Sequence, residues 1–215
     1  MKKLIILGYL EIIFFLITGC QQDDRLVVNG KIIPVHPGEN IQEALDQAKS
    51  GDIILVSPGT YKPDKKGEAF IIFKKRHNGV TLKGGGISPE DVVLDGDQKV
   101  LHVVFFDQGI DRNTTMSGFT ITGGLAYPEE VFPMNYESLL HPEIDFDDDF
   151  YHDGGGIMVY NSAPFIKNNI ITGNSSENCG GGISVFSAQG GSIFFSRWKK
   201  LFTAGKGPLI CGNLI

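Results

Sequence analysis

A repeated glycine-rich run constrains the fold of this chain more than any other feature of its sequence. Residues 154–157 read Gly-Gly-Gly-Ile, and the same four residues return 26 positions later at 180–183. A short apolar stretch follows each copy, as expected of a strand. Repeats of roughly 20 to 50 residues are typical of solenoids, in which each repeat forms one coil and the coils stack. The repeat therefore predicts an all-β solenoid.

Short apolar stretches also run through the earlier part of the chain, between residues 53 and 122. Gly, Pro, Asn or Asp separates them, and no helical pattern lies between them as a doubly wound α/β fold would require. A β-sandwich has similar strands, but its turns would not return with the same sequence. We expect about four to six coils. The side chains predicted to point inward are Ile157, Val159, Phe165, Ile171, Ile183 and Val185.

A short amphipathic helix is predicted over residues 40–49, ahead of these strands. Asn40 is a suitable N-cap, and Glu43 three residues later completes a capping-box pattern. Gly51 ends the helix. The apolar face comprises Ile41, Ala44, Leu45 and Ala48. Because the first coil of a solenoid leaves strand edges unpaired, we expect this helix to cap the N-terminal end.

The first twenty residues have the pattern of a targeting segment. Two lysines precede an apolar stretch, and residues 17–20 read Ile-Thr-Gly-Cys, which resembles a bacterial lipobox. Cleavage of such a signal peptide, residues 1–19, leaves Cys20 to carry lipid. We therefore predict a lipid-anchored protein of the bacterial cell envelope, at the outer membrane or cell surface. The alternative is a plain membrane anchor.

The predicted organisation follows from these boundaries. Residues 20–33 form a tether and a first strand, and residues 34–190 form the solenoid. An acidic insertion at residues 125–153 interrupts the solenoid, and an atypical tail follows at residues 191–215. The formal net charge of −6 argues against nucleic acid as a partner, because proteins that bind it are usually strongly basic.

The stretch from residue 40 to residue 61 resembles the opening of right-handed parallel β-helix proteins of the pectin-lyase-like type. A helix reading Ile-Gln-Glu-Ala-Leu is followed by Gly-Asp-Ile-Ile-Leu-Val-Ser-Pro-Gly-Thr-Tyr, close to the pattern usual in that family. The resemblance covers roughly residues 35–124 and 153–190. It implies a right-handed parallel β-helix. In this superfamily the fold serves lyases, hydrolases, epimerases and non-catalytic surface proteins, so fold alone does not decide function.

From this resemblance we expect an envelope-anchored surface protein of the bacterial lipoprotein type that binds carbohydrate or another extracellular ligand and requires no cofactor. The glycine repeats, with Phe165 and Asn168, also resemble repeats of polymorphic outer-membrane proteins, which act in surface attachment. The alternative is a polysaccharide lyase or a glycoside hydrolase. A lyase needs a base and a cation such as Ca²⁺, and a hydrolase needs two carboxylates about 5–10 Å apart. No catalytic set stands out.

The insertion at residues 125–153 contains nine carboxylates and no Lys or Arg. Because such a segment buries little on its own, we expect a loop on one face of the solenoid, mobile without a cation or a partner. Three of its aspartates match the start of an EF-hand, but Phe150 and Gly156 stand where that motif needs Gly and Glu. A looser Ca²⁺ site and a solvated acidic loop are the two alternatives. The candidate ligands are Asp145, Asp147, Asp148, Asp149 and Asp153.

Three smaller features have less specific interpretations. Residues 74–77 read Lys-Lys-Arg-His and could bind an acidic sugar or form a solvated loop. His102 lies between two residues predicted to point inward, so it is expected to face outward. Asn168, Asn169 and Asn174 are predicted at coil corners, where stacked Asn side chains can bond to one another.

Residues 191–215 lack the coil pattern, and carry four basic residues and no acidic one. Since a finished solenoid needs a C-terminal cap, we expect a truncated β-helix whose open end allows self-association. The alternative is an irregular cap over residues 192–202. Cys179 and Cys211 lie 32 residues apart, which is not a multiple of 26, so two free thiols are expected. No Cys or His spacing suggests zinc.

Overall fold

The computed structural model describes residues 30–127, 131, 151–178, 180–186, 193–195, 209–211 and 213–214. Among these residues it contains one α-helix, α1 (Ile41–Gln47), and seventeen strands. In chain order the strands are β1 (Ile32–Val35), β2 (Ile53–Val56), β3 (Gly59–Tyr61), β4 (Gly67–Phe73), β5 (Thr81–Gly84), β6 (Val92–Asp95), β7 (Val100–Phe106), β8 (Thr115–Ser117), β9 (Thr120–Thr122), β10 (Leu125–Ala126), β11 (Ile157–Tyr160), β12 (Phe165–Lys167), β13 (Ile170–Ile171), β14 (Ser175–Ser176), β15 (Ile183–Phe186), β16 (Ile193–Phe195) and β17 (Leu209–Cys211).

The strands form three long sheets that the chain visits in turn, once per coil. Sheet A has the order β1-β2-β5-β8-β12-β17, sheet B the order β3-β6-β9-β13, and sheet C the order β4-β7-β11-β15-β16. A two-stranded sheet pairs β10 with β14. Within the described part of the chain every strand pair is parallel except that of β15 with β16. The predicted all-β parallel solenoid is confirmed.

The glycine repeat places equivalent residues of successive coils side by side. Ile157 in β11 lies opposite Ile183 in β15, and Val159 lies opposite Val185. All four side chains are buried in the core inside the coils, together with Ile171. The glycines recur because a Cβ on Gly156 would overlap the carbonyl oxygen of Gly182 in the next coil. The 26-residue period of the sequence therefore corresponds to one coil of the solenoid between β11 and β15.

One of the six predicted inward side chains is wrong. In β12 Ile166 belongs to the main core cluster, whereas Phe165, although only 8% exposed, does not. The ammonium group of Lys167, two residues along the same face, stands 5.1 Å from the centroid of the Phe165 ring. Side chains of a strand alternate between faces, so a shift of one residue exchanges the core and the surface. Both residues are apolar, and the pattern therefore did not distinguish them.

Helix α1 follows the predicted pattern, although it begins at Ile41 and ends at Gln47. The side-chain oxygen of Asn40 accepts a hydrogen bond from the backbone N–H of Glu43 at 3.2 Å, as expected of an N-cap. Ile41 and Leu45 are buried in the main core. The apolar face therefore attaches the helix to the first coils.

Asparagine side chains connect successive coils at the turn between sheets A and B. The Oδ1 atom of Asn169 accepts from the N–H of Phe119 at 3.1 Å, one coil before. Asn169 in turn donates from its backbone N–H and its Nδ2 to the Oδ1 of Asn213, at 2.9 and 3.0 Å. The predicted stacking of asparagines at a coil corner is confirmed, and it satisfies backbone groups that the turn leaves without a ladder partner.

We expect replacement of Asn169 by alanine to lower the free energy of unfolding by about 2 kcal/mol, because the buried N–H of Phe119 would lose its acceptor and the Oδ1 of Asn213 one of its donors. Urea unfolding followed by circular dichroism measures the change. The control is Asn168→Gly at the neighbouring exposed position, where φ is +54° and glycine is favoured. If both variants unfold at the same urea concentration, the ladder does not stabilise the solenoid.

The tail does not depart from the solenoid throughout, contrary to the prediction. Strand β17 pairs in parallel with β12, and Ile210 enters the core. Leu214 forms a bridge with Ile170. Residues 208–215 repeat the Pro, Ile, Asn and Ile of residues 164–171 at a distance of 44 residues. The 26-residue period does not predict this coil, because the chain between the two copies is 18 residues longer than that period.

Candidate ligand-binding cleft

The basic residues predicted as a cluster lie on the turns that lead from sheet C to sheet A. Three such turns, from successive coils, stack after β4, β7 and β11 and enclose an open cleft of about 530 Å³. We call it the turn cleft. Its lining residues are Lys74, Lys75, Arg76, Asp107, Gln108, Gly109 and Asn161.

Backbone hydrogen bonds between coils hold the walls of the turn cleft. The N–H of Asp107 donates to the carbonyl of Phe73 at 2.9 Å, and the N–H of Gly109 donates to the carbonyl of Asn161 at 3.1 Å. The side-chain amide of Asn78 donates to the carbonyl of Gly109 at 3.0 Å. These bonds join all three turns. The cleft is therefore largely formed before any ligand binds.

The four predicted basic residues divide into two pairs with different roles. The Arg76 guanidinium donates to the carboxylate of Asp46 in α1 at 2.6 Å. Burial opposes ionisation of Asp46, but hydrogen bonds from Arg76 and Gln42 hold its pKa below the usual value. His77 is fully buried, and burial lowers its pKa, which favours the neutral imidazole. Of the predicted cluster of four, Lys74, Lys75 and Arg76 therefore line the cleft, and the Arg76 guanidinium is shared with Asp46.

Lys74 and Lys75 are exposed at the rim of the turn cleft. The stem of Lys75 passes beside Gly109, so that a Cβ there would stand 3.4 Å from the Lys75 Cδ. Two ammonium groups, with the amides of Gln108 and Asn161 opposite, suit a ligand with carboxylates and hydroxyls. Asp107 supplies one carboxylate, and the other residues lining the cleft supply none. A hydrolytic pair is therefore not present among these lining residues.

The structure describes only one of the five candidate Ca²⁺ ligands. Asp145, Asp147, Asp148 and Asp149 lie outside the described residues. Asp153 is buried, with only 2% of its surface exposed. Where the structure describes the chain, no group of three His, Cys, Asp or Glu side chains could hold a metal ion.

Both ends of the acidic insertion pack onto the outer face of sheet C. Val131 and Tyr151 are buried there with Leu101, Phe105 and Met158 in a second apolar cluster. The first two insertion residues belong to β10, so the coil continues past the predicted boundary. Sheet C is therefore covered on both faces at this point.

His102 is buried, and its ring centroid lies 5.9 Å from that of Phe105, a residue of this second cluster. Every residue of β7 is buried, and His102 has no exposed surface. Its Nδ1 donates to the carbonyl of Gly154, which follows the insertion, at 3.1 Å. A strand with apolar residues at both odd and even positions, such as β7, is typical of burial on both faces, and this signal could have predicted the burial of His102.

The remaining predicted site residues lie largely outside the described part of the chain. Neither Cys20 nor Cys179 is described, and Cys211 is described only as part of β17. No described helix combines the length and the apolar character that a membrane span requires. The lipid anchor stays a prediction.

Comparison with known proteins gives one match. No curated protein and no solved structure matches this chain. A family model described as a protein of unknown function matches residues 34–215, which include every described coil. That family is of the right-handed β-helix type, in agreement with the parallel sheets. The chain is therefore a member of the DUF1565 family.

Proposed function

We propose that this protein is an envelope-anchored β-helix that binds an anionic carbohydrate in the turn cleft. The observation that carries the proposal is the exposure of Lys74 and Lys75 in a cleft built by three stacked turns. Lysine binds sugar carboxylates as a point charge, and the neighbouring amides suit hydroxyl groups. A cleft that crosses several coils suits an extended chain of sugars.

A binding role has more support than hydrolysis. Inverting and retaining glycosidases both use a pair of carboxyl groups, and Asp107 is the only carboxylate among the residues that line the turn cleft. A lyase is the second candidate, because Lys74 or Lys75 could neutralise a uronate or accept its α-proton. An assay for turnover therefore accompanies the binding assay.

We expect Lys74→Glu/Lys75→Glu to weaken binding of polygalacturonate at least about tenfold, since two attractive charges become repulsive. Calorimetric titration in low salt, with and without Ca²⁺, measures the affinity. Lys49→Glu/Lys83→Glu, at two residues that do not line the turn cleft, makes the same change in net charge and is expected to bind normally.

Two outcomes of this titration count against the proposal. Equal losses in both double variants would show general attraction to a polyanion and no site. Absorbance from unsaturated products, or new reducing ends, would favour the enzyme. If wild-type protein binds neither polygalacturonate nor other acidic glycans, the carbohydrate proposal is wrong.

The envelope location rests on the lipobox-like residues 17–20. We expect cells that express the protein to incorporate labelled palmitate into it, and Cys20→Ala to abolish the label and release the protein from the membrane fraction. More than one acyl chain is needed for stable anchoring. Persistence of the label in Cys20→Ala would contradict a lipid on this residue.

A further inference from the structure

The buried imidazole of His77 holds the main chain of the turn that carries the two cleft lysines. This turn is a short 3₁₀ helix, Lys75–His77, which follows β4. The N–H of His77 donates to the carbonyl of Lys74 at 2.7 Å, and the Nδ1 of its ring accepts from the N–H of Lys74 at 3.1 Å. One residue therefore fixes both main-chain polar groups of Lys74.

The bond to the ring determines where the imidazole carries its proton. A backbone N–H can only donate, so the Nδ1 of His77 bears no proton and the neutral ring carries its proton on Nε2. This Nε2 lies 3.3 Å from the Oδ1 of Asp46 in α1. A second proton would have to enter at Nδ1, where two N–H groups would then face each other across 3.1 Å. Protonation of His77 is therefore incompatible with this turn.

The surroundings of His77 favour the neutral ring. The side chain has no exposed surface. The charged groups that face it are Asp46 of α1 and, in its own turn, Lys74 and Arg76. Burial is the largest cause of the lowered pKa of His77, Arg76 acts in the same direction, and Asp46 opposes them. Asp46 is itself paired with the guanidinium of Arg76 at 2.6 Å, so its charge is shared between the two.

The turn that His77 holds forms one wall of the turn cleft. Lys74 and Lys75 are exposed on it, and the stem of Lys75 passes beside Gly109 of the next turn. The carbonyl of Phe73, next to Lys74 in the chain, accepts from the N–H of Asp107 at 2.9 Å. Loss of the bond between His77 and Lys74 would therefore loosen the wall exactly where the lysines meet a ligand.

We propose that His77 is a positioning residue of the turn cleft, which as a neutral imidazole holds Lys74 and Lys75 for an anionic ligand and on protonation releases their turn and the ligand. The inference rests on the proposed binding of an anionic carbohydrate in this cleft. Its direction is diagnostic. A positive charge added at residue 77 would by itself strengthen the binding of an anion, whereas loss of the turn weakens it.

Calorimetric titration of the full-length chain in detergent with polygalacturonate, at about pH 7.5 and about pH 5, tests this. Both lysines and most uronate carboxylates stay charged over this range, and circular dichroism checks that the protein is folded at both values. We expect the wild-type affinity to fall at least about threefold at the lower pH, because a smaller fraction of the protein then has the competent turn.

Two variants separate His77 from other titrating groups. His77→Asn should bind at neutral pH as the wild type does and lose the pH dependence, since its Oδ1 can accept from the N–H of Lys74 but does not titrate. His36→Gln, which removes an exposed histidine, should keep the pH dependence of the wild type.

A measurement without ligand distinguishes failure of this proposal from failure of carbohydrate binding. We expect the protection of the Lys74 N–H against hydrogen exchange to fall at least about threefold over the same pH range in the wild type, and not in His77→Asn. The N–H of Gly85, which donates to the carbonyl of Val56 at 2.7 Å in a different turn, is the internal control and should keep its protection. Nitrogen-15 spectra of the ring should show the proton of His77 on Nε2 at neutral pH.

Three results would overturn the proposal. The first is a wild-type affinity that is unchanged or stronger at the lower pH. The second is an equal loss of affinity in His77→Asn. The third is protection of Lys74 that does not respond to pH, or a ring proton on Nδ1 at neutral pH, and it decides the matter even if His77→Asn does not fold. If no glycan binds but Lys74 loses protection as expected, the carbohydrate proposal fails and the role of His77 in holding the turn stands.

Discussion

Replacing Gly124 by alanine is expected to lower the free energy of unfolding by at least about 3 kcal/mol. A Cβ at this position would overlap the carbonyl oxygen of Gly155 and stand 3.1 Å from the Val103 Cγ2. The Gly155 carbonyl cannot withdraw, because it accepts from the N–H of Val103 at 3.1 Å. Gly124 is itself held by the side chain of Asn174, which accepts from its N–H at 3.0 Å.

Urea unfolding at neutral pH measures this loss, with Gly67→Ala as the matched control. At Gly67 in β4 a Cβ would meet nothing closer than 3.8 Å, and the backbone is not left-handed. Alanine there is expected to change the free energy of unfolding by less than about 1 kcal/mol. Similar losses in the two variants would show that close approach between coils is not the cause.

The free energy of unfolding is expected to fall by about 3 kcal/mol between pH 7 and pH 4 on account of His102 alone. Burial lowers the pKa of His102 from 6.5 to about 4, although its hydrogen bond to Gly154 acts in the opposite direction. Between these two values the unfolded chain binds a proton at this residue and the folded chain does not. The stabilisation is therefore complete above pH 6.5 and is lost as the pH falls toward 4.

His102→Gln should remove most of this dependence of the free energy of unfolding on pH, since glutamine does not titrate. The measurement is the slope of the free energy of unfolding against pH from 7 to 4, compared with wild type and with the exposed His36→Gln. The buried His77, whose pKa is also lowered by burial, contributes with the same sign in all three proteins. An unchanged slope in His102→Gln would show that folding does not lower the pKa of His102.

Much of the fold followed from local patterns. The glycine repeat predicted that residues 157 and 183 stack, and the N-cap at Asn40 predicted where the helix begins. The asparagine pattern predicted Asn169 at a coil corner, where it bonds to Asn213. Each of these depends on residues within one coil or on a period, and both are visible in a linear sequence.

Other features depend on contacts between residues far apart in the chain. Arg76 meets Asp46 across 30 residues, so that its guanidinium is shared between the turn cleft and α1. His102 is buried beside Phe105, which packs in one cluster with Val131 and Tyr151 of the insertion. In both cases a neighbour from another part of the chain decided the environment of the side chain.

The sequence by itself determined the class of fold, the repeat and most of the core, because alternation and periodicity are local consequences of strand geometry. Tertiary structure alone decided which of Phe165 and Ile166 is internal, where the last coil resumes, and which lysines face a cleft. The physical reason is the same for each. Register, insertions and ion pairs are settled by packing between coils, and such packing involves residues whose separation in sequence varies from coil to coil.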